Sequence, residues 1–81
     1  MPEPTRKAII ENLIASLRSE RERLKMSLNA AAAKASIDRT MWSRVESGER
    51  GAGLDILLRM AEALGINLGR FLLRAIKKAR R

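Results

Sequence analysis

Residues 26–48, MSLNAAAAKASIDRTMWSRVESG, decide the reading of this chain, because they spell two short helices and the turn between them. Ser27 is placed to accept a hydrogen bond from an orphan backbone N–H, which predicts a helix start just ahead of the alanines. Asp38 is placed to cap a second helix in the same way, and Gly48 sits where that helix should stop. Helices this short are marginal in water on their own. They need a larger body to present them, and the second one is built asymmetrically.

With roughly 100° per residue and Arg39 at zero, Met41, Trp42 and Val45 fall between roughly 200° and 300°, a single apolar arc. Thr40, Ser43, Arg44 and Ser47 fall between roughly 40° and 140°, with Arg39 at the edge of that arc. One face is therefore expected in the core, with Trp42 packing there rather than stacking on a base. The other face carries hydroxyls and guanidiniums, which suit phosphate oxygens and the acceptor edges of bases. A solvated helix face has the same composition. The helix and turn that come before favour the binding reading.

Outward from this core segment, the periodicity predicts five helices, at about 5–24, 28–35, 39–47, 54–64 and 68–78. Pro2 and Pro4 precede the first and are expected to leave a loose end. The GAG at 51–53 reads as a loop, Gly65 as a helix stop and Asn67 as the next cap. Alanines 30–33 and Ala35 make the first motif helix almost bare, so another helix backbone can cross it closely, although alanine is also simply a good helix former. In the first helix Ile10, Leu13, Ile14, Leu17 and Leu24 are expected on one stripe, with Arg21 inside it and Ile9 off it. A charge on a buried face is costly unless paired. Glu46, at the border of the core face of helix 39–47, is available as the partner; the alternative is an Arg21 that carries its head out to solvent. In the last helix Leu68, Phe71, Leu72, Ala75 and Ile76 form one stripe and Leu73 lies off it. Leftover apolar positions of this kind, Ile9 included, are candidates for a subunit interface, with single exposed leucines as the plain alternative.

In order along the chain, Leu17-Arg18, Met26-Ser27, Ala32 and Ala35, Ile37-Asp38-Arg39-Thr40, Ser43-Arg44-Val45-Glu46 with Gly48, and Leu57 to Leu72 make a series. That series resembles the helix-turn-helix of the Cro/cI-like (XRE-type) DNA-binding domains over about two thirds of the chain. Asp38-Arg39-Thr40, then Ser43 to Glu46 and Gly48-Glu49-Arg50, is similar to the small controller proteins of restriction–modification systems. The resemblance implies an all-α, compact five-helix lambda-repressor-like fold in a single domain over 1–81, with the motif at about 28–47 and a basic helix and tail at 68–81. It also implies a bridge between Arg21 and Glu46.

If the second motif helix enters a major groove, its early outward residues reach the bases. Arg39, Thr40 and Arg44 are then the base contacts, since an arginine fork matches O6 and N7 of guanine and a threonine methyl packs on thymine. Asn29, Ser43, Ser47 and Arg50 are the expected phosphate contacts. The family usually dimerises, so a homodimer is expected on a palindromic operator with half-sites about one helical turn apart, held by Leu72, Leu73 and Ile76. Four positions depart from the family pattern: Leu28 for a glutamine, Ser36 for the glycine of the turn, Trp42 for a smaller aliphatic residue, and GAG for a loop with proline and a hydroxyl cap. Ser36 must tolerate a backbone that glycine normally takes.

Composition sets the remaining bounds. The 81 residues carry no cysteine and no histidine, which removes disulfides, thiolate metal sites and the usual general base. With no tyrosine, glycine-rich phosphate loop or carboxylate pair in a cleft, an enzyme is not expected, nor is a cofactor or small-molecule ligand. No apolar run approaches the roughly 18 residues of a membrane span, and there is no signal-peptide pattern, so a cytoplasmic protein associated with DNA is expected. The net charge is +8, yet residues 63–81 hold six basic groups and no acid while the rest holds eleven basic against nine acidic. That cationic end could attract phosphates or be a solvated helix terminus favoured by the helix dipole. The expected function is a sequence-specific DNA-binding transcriptional regulator. The rival within DNA binding is an antitoxin that also grips a protein partner. The rival outside it is a cationic protein on a membrane surface.

Overall fold

A computed structural model describes the backbone of residues 3–80 and the side chains of residues 5–80. Among the described residues the fold is all-α: α1 Glu3–Arg23, α2 Leu28–Ala35, α3 Arg39–Ser47, α4 Leu54–Leu64 and α5 Leu68–Ala79. Helix α1 begins two residues earlier than the sequence suggests, because Pro4 in the first turn lacks only an N–H that would be unpaired there anyway. The expected loose end at Met1 and Pro2 lies outside the described residues, as does Arg81.

The helix starts are capped as their sequences predict. Ser27 Oγ accepts from Ala30 N at 3.0 Å, Asp38 Oδ1 from Thr40 N at 2.9 Å and Asn67 Oδ1 from Arg70 N at 3.1 Å. Gly53, before α4, offers no side-chain cap. The helix ends hold a pattern that glycine alone does not reveal. After α1, α2 and α4 the chain turns through a left-handed residue, namely Lys25 (φ 57°), Ser36 (φ 56°) and Gly65 (φ 69°). In each case the next residue, Met26, Ile37 or Ile66, sends its N–H back to the helix, to Arg21, Ala32 and Ala61 carbonyls. Its apolar side chain meanwhile packs on the core. This is the Schellman geometry, in which two orphan carbonyls are satisfied and the chain leaves the helix tethered by a hydrophobic contact. Ser36 thus takes the backbone that glycine usually supplies.

The main core joins Leu17 of α1, the alanine face of α2, Trp42 and Val45 of α3, and Met60, Ala63 and Leu64 of α4. Ala31, Ala32 and Ala35 are buried, whereas Ala30 and Ala33 face solvent, so the bare side of α2 is the one set against α3 and α4. Trp42 is wholly buried and fills the space the small α2 face leaves open. A second cluster seats α5 on α1, through Ile9, Leu13 and Ala75 with Phe71 and Ile76 at its edge.

That second cluster corrects the stripe expected on α1. Ile9 is buried, while Ile10 is 55% exposed and Leu24 also reaches solvent. The reason is that α1 serves three neighbours: α3 meets it on the side of Arg21, α4 around Leu17 and α5 on the side of Ile9, so its buried surface is wider than one stripe. Ile9 is therefore core and not a leftover position. On α5, Leu72 and Leu73 are exposed and Ile76 is half-buried against the α1 cluster. No helix among the described residues is long and apolar enough to cross a membrane.

Candidate nucleic-acid interface

Helix α3 is split largely as its sequence requires, except that Met41, expected in the core, is only half-buried and lies outside both core clusters. Trp42 and Val45 are 0% and 1% exposed, whereas Arg39, Thr40, Arg44 and Ser47 lie on the surface and Ser43 is half-buried. The two capping bonds at Asp38 and Gly48 fix where the helix begins and stops, and so fix which residues lie on its outward side.

A compact polar network locks the rotation. Arg21 Nε donates to Glu46 Oε2 at 2.7 Å, and Arg21 Nη2 donates to Glu46 Oε1 at 3.0 Å, a bidentate pair across 25 residues of chain. The third arm, Nη1, donates to the carbonyl of Met26 at 2.8 Å, at the joint between α1 and α2. Trp42 Nε1 donates to Glu46 Oε2 at 2.5 Å from one turn earlier on α3. The Arg21 and Glu46 side chains are only 12% and 7% exposed. The bond to Glu46 raises the Arg21 pKa above its ordinary value against the opposing effect of burial, so the guanidinium stays charged at all accessible pH. The network thus ties α1, the α1–α2 joint and α3 together around one carboxylate. Sequence reasoning anticipated the Arg21–Glu46 pair but missed Trp42 and the Met26 carbonyl. The spacing of Trp42 and Glu46, four apart on one helix, was the available signal.

The outward arginines of α3 and the loop after it differ from four others on α1 and α4. Arg18, Arg21, Arg23 and Arg59 are each engaged by a carboxylate. Among the described residues, the guanidiniums of Arg39, Arg44 and Arg50 have no such partner. Arg50 is nevertheless held in place by its backbone, since its N–H bonds to the Arg44 carbonyl at 3.2 Å. Ser47 Oγ donates to the same carbonyl at 3.1 Å and accepts from Glu49 N. Its single hydroxyl proton is therefore already engaged, which makes Ser47 the weakest of the expected phosphate donors. Asn29 is exposed at the second position of α2, beside the N–H groups that a helix start leaves free for an anion. Leu28, in place of the family's glutamine, turns against the core instead.

The matching of this architecture to known proteins is direct. A family model described as a helix-turn-helix domain matches residues 13–76, which includes all of α2, α3 and α4. Among solved structures, the chain resembles the crystal structure of the clp gene regulator ClgR from C. glutamicum, at 26% identity and a TM-score of 0.75. That match covers 86% of this chain and 91% of the other. No curated protein sequence matches significantly. With the motif spanned by the family model and its geometry reproduced in the fold, the chain belongs to the XRE-type helix-turn-helix domain family.

Proposed function

We propose that this protein is a sequence-specific DNA-binding transcriptional regulator that acts as a homodimer on an approximately palindromic operator. The observation that carries the reading is the division of α3, in which the buried Trp42 and Val45 back an exposed face of Arg39, Thr40 and Arg44 whose arginines have no carboxylate partner among the described residues. The resemblance to ClgR, named as a gene regulator, supports it.

In this reading Arg39 and Arg44 present their forks to guanine O6 and N7, and Thr40 donates to a base or packs its methyl on thymine. Asn29, Ser43 and Arg50 hold phosphates on either side and set the register without carrying sequence information. Ser47 joins them only by giving up its bond to the Arg44 carbonyl. Leu72 and Leu73, exposed on α5, with Ile76 at their edge, form the dimer contact that sets the half-site spacing at about one helical turn.

Selection of bound sequences from random duplex DNA at physiological salt tests the whole reading. A two-fold symmetric motif is expected. Flat enrichment would remove both sequence specificity and the palindromic dimer.

A further inference from the structure

We propose that the groove between α1 and α5 is a second nucleic-acid site, which holds the phosphate backbone of a duplex segment other than the one met by α3. This inference goes beyond the reading of α3 and does not depend on it.

The groove has a volume of about 320 Å3 and is lined by Asn12, Ser16 and Ser19 of α1 with Arg23, Arg74 and Lys78 at its rim. Its location follows from α1 itself. Helix α5 meets α1 at Asn12, whose Nδ2 donates to the Ala75 carbonyl at 3.2 Å, and α3 meets it at Arg21. Positions 12 and 21 are about half a turn apart around a helix at roughly 100° per residue. The groove thus lies on the side of α1 opposite its contact with α3.

Charge and chemistry identify the occupant. Arg70, Arg74, Lys77 and Lys78 are all exposed and fall within an arc of roughly 100° on α5, next to the groove. Successive turns place these cations about 6 Å apart along the helix axis, a row that can follow a charged strand. The serine hydroxyls and cations are donors of the kind that phosphate oxygens accept. Glu20 is the one carboxylate in the lining, and it is neutralised by Arg23 at 2.6 Å. That hydrogen bond, opposed by burial and helped by the nearby charge of Arg74, holds the Glu20 carboxyl below its ordinary pKa.

A lipid surface fits less well. A cationic helix that lies in a membrane interface must bury an apolar face in the acyl region. The apolar face of α5 is already seated on α1, with Ala75 2% exposed against Ile9 and Leu13. What remains outward is basic apart from Leu72 and Leu73, which the proposed dimer contact covers.

The test uses the full-length chain and a random-sequence duplex of about 30 base pairs. The Arg74→Gln/Lys78→Gln variant, and independently Ser19→Glu, which puts a negative charge on the α1 wall, are titrated across salt. Each lost phosphate contact lowers the slope of log K against log salt by about 0.9, so the double variant should lose nearly 2. A second assay measures capture of a labelled duplex by protein bound to an immobilised one, which the wild type performs and both variants lose. Unchanged slopes and capture in both variants overturn the proposal. So does binding to phosphatidylserine vesicles that requires Arg74 and Lys78 while duplex binding does not. The Arg39→Ala/Arg44→Ala variant separates the two sites: it should lose sequence preference and keep the groove's share of the slope. If it alone affects DNA binding, the groove fails and the α3 reading stands.

Discussion

Replacing Glu46 by alanine removes the acceptor for three hydrogen bonds at once, two from Arg21 and one from Trp42. Arg21 is then left as a charge only 12% exposed, with the Met26 carbonyl as its remaining partner. Breaking one partner out of a buried pair costs about 3–5 kcal/mol. Partial solvent access for Arg21 argues for the lower end, and the stranded Trp42 N–H adds about 1 kcal/mol. A loss of about 3–4 kcal/mol follows. For a domain of this size each kcal/mol moves Tm by about 4–8 °C, so a fall of at least about 12 °C is expected in thermal unfolding followed by circular dichroism. The decisive comparison is the paired variant Arg21→Met/Glu46→Leu. Apolar side chains of similar volume remove both charges, so it should be more stable than Glu46→Leu alone, and the cycle with the single variants Arg21→Met and Glu46→Leu should give a coupling energy of at least about 2 kcal/mol. If the two single losses simply add, Glu46 is not a shared hub, and the argument that it locks the rotation of α3 is refuted.

Three further outcomes follow from particular residues. Ser36→Gly should raise stability by about 0.5 kcal/mol, because it relieves a left-handed backbone at φ 56° against a larger entropy of the unfolded chain; a lower Tm in calorimetry would contradict this. Asp38→Ala should cost about 1 kcal/mol in urea unfolding through loss of the cap on Thr40 N. Leu73→Asp should weaken self-association at least tenfold in sedimentation equilibrium while the monomer keeps its helical content, since Leu73 is 52% exposed and contributes nothing to the core.

Much of this architecture is legible because it rests on local chemistry. Ser27, Asp38 and Asn67 announce helix starts by side-chain oxygen, and Gly48 and Gly65 announce stops by their freedom at positive φ. Lys25 and Ser36 make the same kind of stop with no glycine, and the sign of it is the apolar residue that follows, Met26 or Ile37. The burial of Ile9 where periodicity places Ile10 has a different origin. Periodicity gives the angle between side chains on a helix, but not how many neighbours the helix will have, and α1 packs against α3, α4 and α5. The candidate interface divides likewise. The polar arc of α3 follows from residue spacing, whereas the pairing of Arg18, Arg23 and Arg59, and the lack of carboxylate partners for Arg39, Arg44 and Arg50 among the described residues, depends on which carboxylates the fold brings near.

The central claim is that the outward side of α3 reads bases while the loop after it only grips the backbone. It is tested most directly by measuring the affinity of Arg39→Ala, Arg44→Ala and Arg50→Ala for a selected site and for random duplex at one fixed salt concentration. The first two should lose about 1–3 kcal/mol on the selected site, and with it base preference, while Arg50→Ala weakens both duplexes by the same factor. Equal losses on both duplexes for all three variants would contradict the account.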